Sequence, residues 1–246
     1  MNNRKLDYQW VFNLSQAYQV LAWYEFDYGD SSKAIPTLIS ATELANKTVD
    51  EDGSSIRFYF NQTTLLNQLS YFYLESNDSD NAKKVIDKAI IIGNTLQQKA
   101  PKNLDYQREL AYSYTTAGQL AEQQKDLSMA LSFFNQSLKF TQLMYQNDSD
   151  NFSTANDYAY DLVHLGMVHE KLSQDQQATK LWNQAIDIMK PVHILEPNNK
   201  YYTTTLISAL LKAGHYQQAK PLITELKKSG FHDRDFEILL KQHNLK

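Results

Sequence analysis

The sequence predicts an all-α protein built from stacked helical hairpins, and three observations support this fold class. Only 7 Gly and 5 Pro occur in 246 residues, too few for the many tight turns of a β-sandwich or β-barrel. Apolar residues recur with the period of an amphipathic helix. The chain also repeats itself at a fixed interval, which is typical of a solenoid of repeated units.

The repeat has a period of 48 residues (82 − 34 = 48, and the same step again at 130 and 178). It is seen first in a column of alanines, Ala34, Ala82, Ala130 and Ala178. Four residues later each unit has a large apolar side chain, namely Leu38, Ile86, Phe134 and Trp182. Upstream, the same step connects a column of small residues, Ala22, Ser70, Gly118, Gly166 and Gly214. Agreement in this many columns indicates a true internal repeat.

Each unit contains two amphipathic helical segments joined by a polar link with turn or capping residues, at 27–32, 76–80, 125–128 and 173–176. In chain order we expect units at about 8–50, 54–99, 103–147, 151–195 and 199–229, all within one domain of residues 1–246. A last amphipathic segment at 232–244, with an apolar side formed by Phe236, Leu239, Leu240 and His243, predicts a capping helix.

The fifth unit is shorter than the others. Ala219 follows Ala178 by 41 residues (219 − 178 = 41) although Gly214 keeps the 48-residue step from Gly166. We therefore expect the seven missing residues to come from its link, at 215–218.

Gly118 lies in the middle of a predicted helix, where glycine costs roughly 1 kcal/mol relative to alanine. A helix can bring its backbone close to a partner helix only where the side chain is small. We therefore expect the small column to mark close helix crossings, at Gly118, Gly166 and Gly214 among others.

The small and large residues of the third unit, Tyr114, Ala117, Gly118 and Ala121 followed by Ala130 and Phe134, resemble the pattern of the tetratricopeptide repeat. The usual period of that family is about 34 residues, so both helices here are expected to be longer. The resemblance implies a right-handed α-solenoid of five hairpins whose concave groove, lined by the first helices, binds proteins or peptides without catalysis. The ending, residues 229–245, resembles tetratricopeptide regions attached to bacterial signalling kinases and regulators.

Carrying the family's groove positions over to this chain gives ten candidate partner-binding residues: Trp23, Asn67, Tyr71, Tyr112, Thr115, Gln119, Tyr160, Val163, Met167 and Glu170. Aromatic side chains with polar tips and adaptable methionines are good anchors at interfaces. The alternative for Trp23, Tyr71 and Tyr160 is that they pack against a neighbouring unit as ordinary core, which is common for aromatic residues at helical spacing.

Other classes of function have little support in the sequence. A formal charge of −4 argues against a nucleic-acid binder, and the chain has no cysteine and no signature glycine loop or metalloprotease motif. Asp157, Asp161 and His164 share a helical face but lack the second element that closes most metal sites. We expect no cofactor, no metal and no catalytic residue, and we predict that the chain is not an enzyme.

No run of residues is long and apolar enough for a signal peptide or a membrane span. We therefore expect a cytoplasmic protein, or a periplasmic one if the chain is a fragment of a membrane-anchored protein. Two alternatives to a binding module stay open, a self-associating structural module that forms homo-oligomers and an enzyme whose site residues are distant in sequence.

Overall fold

The structure is a computed structural model that describes residues 8–27, 30–51, 55–231 and 234–245. Within these ranges every regular element is an α-helix, which confirms the predicted all-α class. The helices are α1 (Tyr8–Asp27), α2 (Ser31–Glu51), α3 (Ile56–Glu75), α4 (Ser79–Lys99), α5 (Leu104–Gln123), α6 (Leu127–Asn147), α7 (Phe152–Lys171), α8 (Asp175–Leu195), α9 (Lys200–Lys212), α10 (Tyr216–Lys228) and α11 (Arg234–Gln242). Residues 28–29 of the first link, residue 54 of the second unit and residues 232–233 of the predicted cap lie outside the described residues.

The helices follow the 48-residue period closely. The first helices of the hairpins begin at Tyr8, Ile56, Leu104, Phe152 and Lys200, each 48 residues after the one before. In the second hairpin, a helix of 20 residues, a link of three, a helix of 21 and a connection of four make up the period (56–75, 76–78, 79–99, 100–103). Both helices are therefore longer than a period of about 34 residues would allow, as predicted.

Cap residues explain why the second helices begin where they do. The carboxylates of Asp78 and Asp126 accept hydrogen bonds from the backbone N–H groups of Asn81 and Met129, at 3.2 and 3.0 Å. Each bond satisfies one of the N–H groups that have no partner in the first turn. The predicted links therefore contain the capping residues that start the next helix.

The expectation for the fifth unit was wrong. Its link, at 213–215, has three residues, the same number as the link at 172–174. The helix α9 has 13 residues, seven fewer than the 20 residues of α7. Gly214 has φ +80° and is exposed, and a Cβ atom added to it would have no neighbour within 4 Å. It matches Asn77, Lys125 and Ser173, which have φ of 58°, 63° and 59° in the earlier links. Gly214 is thus a turn residue and does not mark a helix crossing.

The rest of the small column is buried, at Ala22, Ser70, Gly118 and Gly166. At Gly166 the close neighbour is a side chain and not a helix backbone: a Cβ atom there would lie 2.7 Å from Cδ1 and 2.9 Å from Cε2 of Trp182. The indole Nε1 of Trp182 donates a hydrogen bond to the Val163 carbonyl, at 3.2 Å. Glycine is required here because the indole ring occupies the space of its side chain.

The chain divides into two compact units, Met1–Leu120 and Ala121–Lys246. In the first unit, the ring of Phe72 stacks on Phe26, with ring centroids 4.2 Å apart, beside the fully buried Leu38 and Leu65. The second unit has its own core, which contains Phe134, Leu162, Trp182, Met189 and Ile207 and also Phe236 and Leu240 of α11. The prediction of a single domain and of a right-handed solenoid stays a prediction.

Candidate partner-binding residues on the first helices

Trp23 and Tyr71 form a half-buried aromatic pair in the first unit. Their rings stack with centroids 6.0 Å apart and an interplanar angle of 27°. Trp23 also contacts Phe72 edge-on, at 5.0 Å between ring centroids. Both residues therefore have the packing predicted by the core alternative and keep part of their surface accessible for a partner.

Asn67 is buried and joins α3 to α5. Its amide donates to the Glu109 carboxylate at 2.8 Å and to the Glu109 carbonyl at 2.9 Å, and its oxygen accepts from Ser113 Oγ at 2.6 Å. Burial raises the pKa of Glu109, and the Asn67 hydrogen bond partly opposes that shift. The role shown for Asn67 is to connect two helices through a buried polar network, which the sequence did not reveal.

The other candidates of the first unit differ in exposure. Thr115 is buried and its hydroxyl donates to the Ala111 carbonyl at 3.1 Å. Gln119 is partly exposed, and 39% of Tyr112 is exposed. Tyr112 and Gln119 are thus accessible to a partner, whereas Thr115 is enclosed by its own unit.

In the second unit, Val163 is buried and supplies the carbonyl that accepts the Trp182 hydrogen bond. Met167 packs on the core but is partly exposed, as is Tyr160. The Tyr160 ring lies against the His164 imidazole, with centroids 4.4 Å apart. Tyr160 and Met167 therefore each pack partly against their own unit and keep part of the side chain accessible to solvent.

Glu170 is exposed and forms an ion pair with Lys212, with Nζ and Oε2 3.1 Å apart. A second pair repeats this arrangement between Lys171 and Glu122, at 2.6 Å. Glu122 and Glu170 are 48 residues apart (170 − 122 = 48), and each pairs with a lysine of a later first helix. We call these four residues the charged row. The 48-residue separation of the two glutamates could be seen in the sequence, but their lysine partners could not be assigned from it.

Two of the three residues considered for a metal site, Asp161 and His164, are engaged in other contacts. Asp161 is buried and accepts hydrogen bonds from Ser137 Oγ at 2.7 Å and Thr141 Oγ1 at 2.8 Å. His164 is enclosed between Tyr160 and Phe134, and burial lowers its pKa. Within the described ranges, no group of three or more His, Asp or Glu side chains is arranged to hold a metal ion.

A family model described as the tetratricopeptide repeat matches residues 63–90, and no curated protein matches the chain. The solved structure of a thermophilic TPR protein from Thermus thermophilus has a TM-score of 0.51 and 15% identity, covering 94% of this chain and 100% of that one. A putative kinesin light chain of Podosopora anserina with nearly identical TPR-like repeats has a TM-score of 0.48 and 17% identity, covering 89% of this chain and 95% of that one.

The family model confirms the predicted resemblance to the tetratricopeptide repeat at residues 63–90, and the likeness to the Thermus thermophilus structure supports the predicted α-solenoid fold. The match at 63–90 is centred near the link between α3 and α4, so the additional turns of the longer repeat lie at the distant ends of the two helices. The resemblance of residues 229–245 to signalling proteins stays a prediction. None of the described helices has the length and apolar character needed to cross a membrane.

Proposed function

We propose that this chain is a non-catalytic module that binds a protein or peptide through side chains on its first helices. The observation that carries the proposal is the stacked, partly exposed pair of Trp23 and Tyr71. The two residues are 48 apart and therefore occupy the same position in consecutive repeats. Gln119 and Met167, the next members of that column, are also partly exposed.

Rigid aromatic rings suit this role because they offer a large contact area and lose little conformational entropy on binding. Trp23 is already held by Phe26 and Phe72, with ring centroids at 6.1 and 5.0 Å. A partner that covers its exposed edge gains apolar contact without having to order the side chain. Prepacked anchors of this kind reduce the free-energy cost of association.

The charged row indicates that the partner has charged groups as well as apolar ones. Glu170 and Lys171 are partly or largely exposed and each forms an ion pair with a residue of another first helix. Exposed ion pairs of this type contribute little to folding stability, but they can orient a charged ligand and increase its association rate. We propose a docking role of this kind in a bacterial signalling protein, in line with the resemblance of residues 229–245.

The test is to capture a partner by pull-down and then measure its affinity by titration calorimetry for the parent chain and two variants. Tyr112→Ala removes an aromatic candidate that is 39% exposed, and Ile91→Ala removes a 67% exposed side chain of α4, a second helix. We expect Tyr112→Ala to weaken binding by about 1–2 kcal/mol, which is roughly 5–30-fold, and Ile91→Ala to leave it unchanged.

Equal affinities for the parent and Tyr112→Ala, with a parallel result for Tyr160→Ala, would rule out the first-helix surface. A loss of affinity with Ile91→Ala alone would instead move the binding surface to the second helices. Melting curves of all variants serve as the control for folding.

A further inference from the structure

His164 occupies the same repeat position as Lys212. Each is the thirteenth residue of its first helix (164 − 152 + 1 = 13 and 212 − 200 + 1 = 13). Glu122 and Glu170 also share a repeat position, and each precedes the residue of the other pair by 42 (164 − 122 = 42 and 212 − 170 = 42). Lys212 forms an ion pair with Glu170. The repeat therefore places His164 where a positively charged side chain would face Glu122.

One nitrogen of the His164 imidazole has no hydrogen-bond partner. This Nδ1 atom is buried, and the ring is packed between Tyr160 of α7 and Phe134 of α6, with centroids 4.4 and 5.5 Å from its own. A neutral imidazole suits these surroundings, whereas a charged one needs a carboxylate nearby. Since histidine ordinarily changes its charge between pH 5 and 8, mild acid is the condition that tests this ring.

The charges that face His164 come from three helices. Burial has the largest effect and lowers the pKa of His164. The carboxylate of Glu122 on α5 raises this pKa, and the ammonium groups of Lys171 on α7 and Lys212 on α9 lower it. Asp161, one turn before His164, accepts hydrogen bonds from α6. Glu122 is therefore the group that stabilises a proton on His164.

We propose that the charged row responds to pH through an exchange of partners at Glu122. At neutral pH Glu122 is held by Lys171, with Nζ and Oε1 2.6 Å apart. When His164 takes up a proton from the solvent, its imidazolium pairs with the carboxylate and Lys171 is released. The new pair repeats the one between Lys212 and Glu170, and it reverses when the proton is lost.

The exchange alters the charges that the first helices present. The side chain of Lys171 is 48% exposed and that of Glu122 is 10% exposed, so the lysine can turn to solvent while the carboxylate stays enclosed. Acid thus adds one positive charge and releases an ammonium group one helical turn from Met167. The consequence for binding rests on the proposed function: an acidic segment of the partner is held more tightly as the pH falls.

The first experiment is an NMR titration of the full chain with labelled histidines. The chain has 6 histidines, and the His164 signals are those lost in His164→Gln. Glu122→Gln should make His164 titrate at a clearly lower pH. The matched control is Glu170→Gln, which should leave His164 close to the parent and instead lower the titration of His243, because burial lowers the pKa of His243 and Glu170 opposes that shift.

Lys171→Met tests the exchange itself. Loss of Lys171 removes a like charge and also a competitor for Glu122, so His164 should titrate at a higher pH. In the Glu122→Gln background there is nothing to compete for, and the same change should raise the titration of His164 clearly less. Equal shifts in the two backgrounds would show that the lysine acts only through its charge and would overturn the exchange.

His164→Lys makes the charge permanent and imitates Lys212. If this lysine takes Glu122, Lys171→Met should not change the melting temperature in that background, whereas in the parent at neutral pH it should lower it by about 1–3 °C. Equal losses in both backgrounds contradict the proposal. If His164→Lys does not fold, the NMR titrations decide, and a His164 titration that is unchanged in Glu122→Gln overturns the proposal.

A captured partner tests the consequence for binding. Calorimetry at about pH 7.5 and about pH 5.5 should show a gain of affinity in acid for the parent and a smaller one for His164→Gln. Equal gains would overturn the consequence. The titrations and melting curves use the chain alone, so failure of the proposed function leaves their outcome unaffected, and a partner that binds independently of pH leaves the proposed function standing.

Discussion

Replacing Gly166 by alanine separates helix propensity from packing. In an exposed helix the change stabilises by about 1 kcal/mol. Here the new Cβ atom would lie 2.7 and 2.9 Å from two atoms of the Trp182 indole, so the ring must move. Overpacking of this kind costs about 1–3 kcal/mol, and loss of the hydrogen bond from Trp182 to Val163 adds about 0.5–1.5 kcal/mol. We expect a net loss of about 1–3 kcal/mol.

The assay is thermal unfolding followed by circular dichroism, where about 2–4 °C in melting temperature corresponds to 1 kcal/mol for a chain of this size. Gly93→Ala is the matched control, because Gly93 is also inside a helix and the closest atom to its new Cβ would be Leu110 Cδ1 at 3.1 Å, a less severe contact than the one at Gly166. Gly93→Ala gains the same helix propensity and needs a smaller shift of its neighbour, so we expect it to lower the melting temperature clearly less than Gly166→Ala does.

A double-mutant cycle with Trp182→Phe tests whether the Trp182 indole causes the loss of stability in Gly166→Ala. The smaller ring leaves room beside residue 166, so Gly166→Ala should cost clearly less in that background than in the parent. If Gly166→Ala melts like the parent, or if its cost is the same with Phe at position 182, the steric explanation for Gly166 is refuted.

Two further predictions follow from the buried carboxyl group and the turns. Because burial raises the pKa of Glu109 in the folded state, its stabilising contribution is full below its unfolded pKa of about 4.3 and is lost as the pH rises through the folded value. Glu109→Gln should therefore raise the melting temperature at neutral pH and lose that advantage in acid; a constant difference across a pH series of melting curves would contradict this. Ser173→Gly should stabilise and Gly214→Ala destabilise by about 1 kcal/mol each, because their φ angles are 59° and 80°; urea titrations that show the opposite signs would contradict the turn assignment.

The helix positions could be predicted because the 48-residue period connects many columns at once, so an error in one column is corrected by the others. Gly214 shows where this fails. A 48-residue step places it in the column of Gly166, and a 41-residue step places it with Ser173. Glycine suits both a close packing contact and a positive φ angle, so its identity could not distinguish the two. The structure distinguishes the two assignments, because α9 is seven residues shorter than α7 and the link after it keeps its length.

The candidate groove residues could be placed on the first helices, but their burial could not be predicted. Asn67 is buried, and its hydrogen-bond partners Glu109 and Ser113 lie 42 and 46 residues further along the chain. Neither separation equals the period, so a comparison of repeat columns does not bring these residues together. Val163 is buried, and its carbonyl accepts a hydrogen bond from the Trp182 indole, a contact that depends on the direction of one side chain. Such contacts depend on side-chain geometry, and a periodic pattern contains no information about it.

Leu21 and Leu69 show the limit of repeat-based prediction most directly. They are the same residue type in the same column of consecutive repeats, yet Leu21 is 45% exposed and Leu69 is 4% exposed. The difference comes from what lies beside each helix, since α3 has a preceding hairpin and α1 has none among the described residues. In a solenoid each unit contacts only its neighbours, so the burial of a repeat position depends on whether a neighbouring hairpin covers it. About 25 cal/mol of free energy is available for each Å² of apolar surface removed from water, so the same leucine contributes more to stability at position 69 than at position 21. The repeat pattern treats the two positions as equivalent, and the difference between them comes from the packing around each helix.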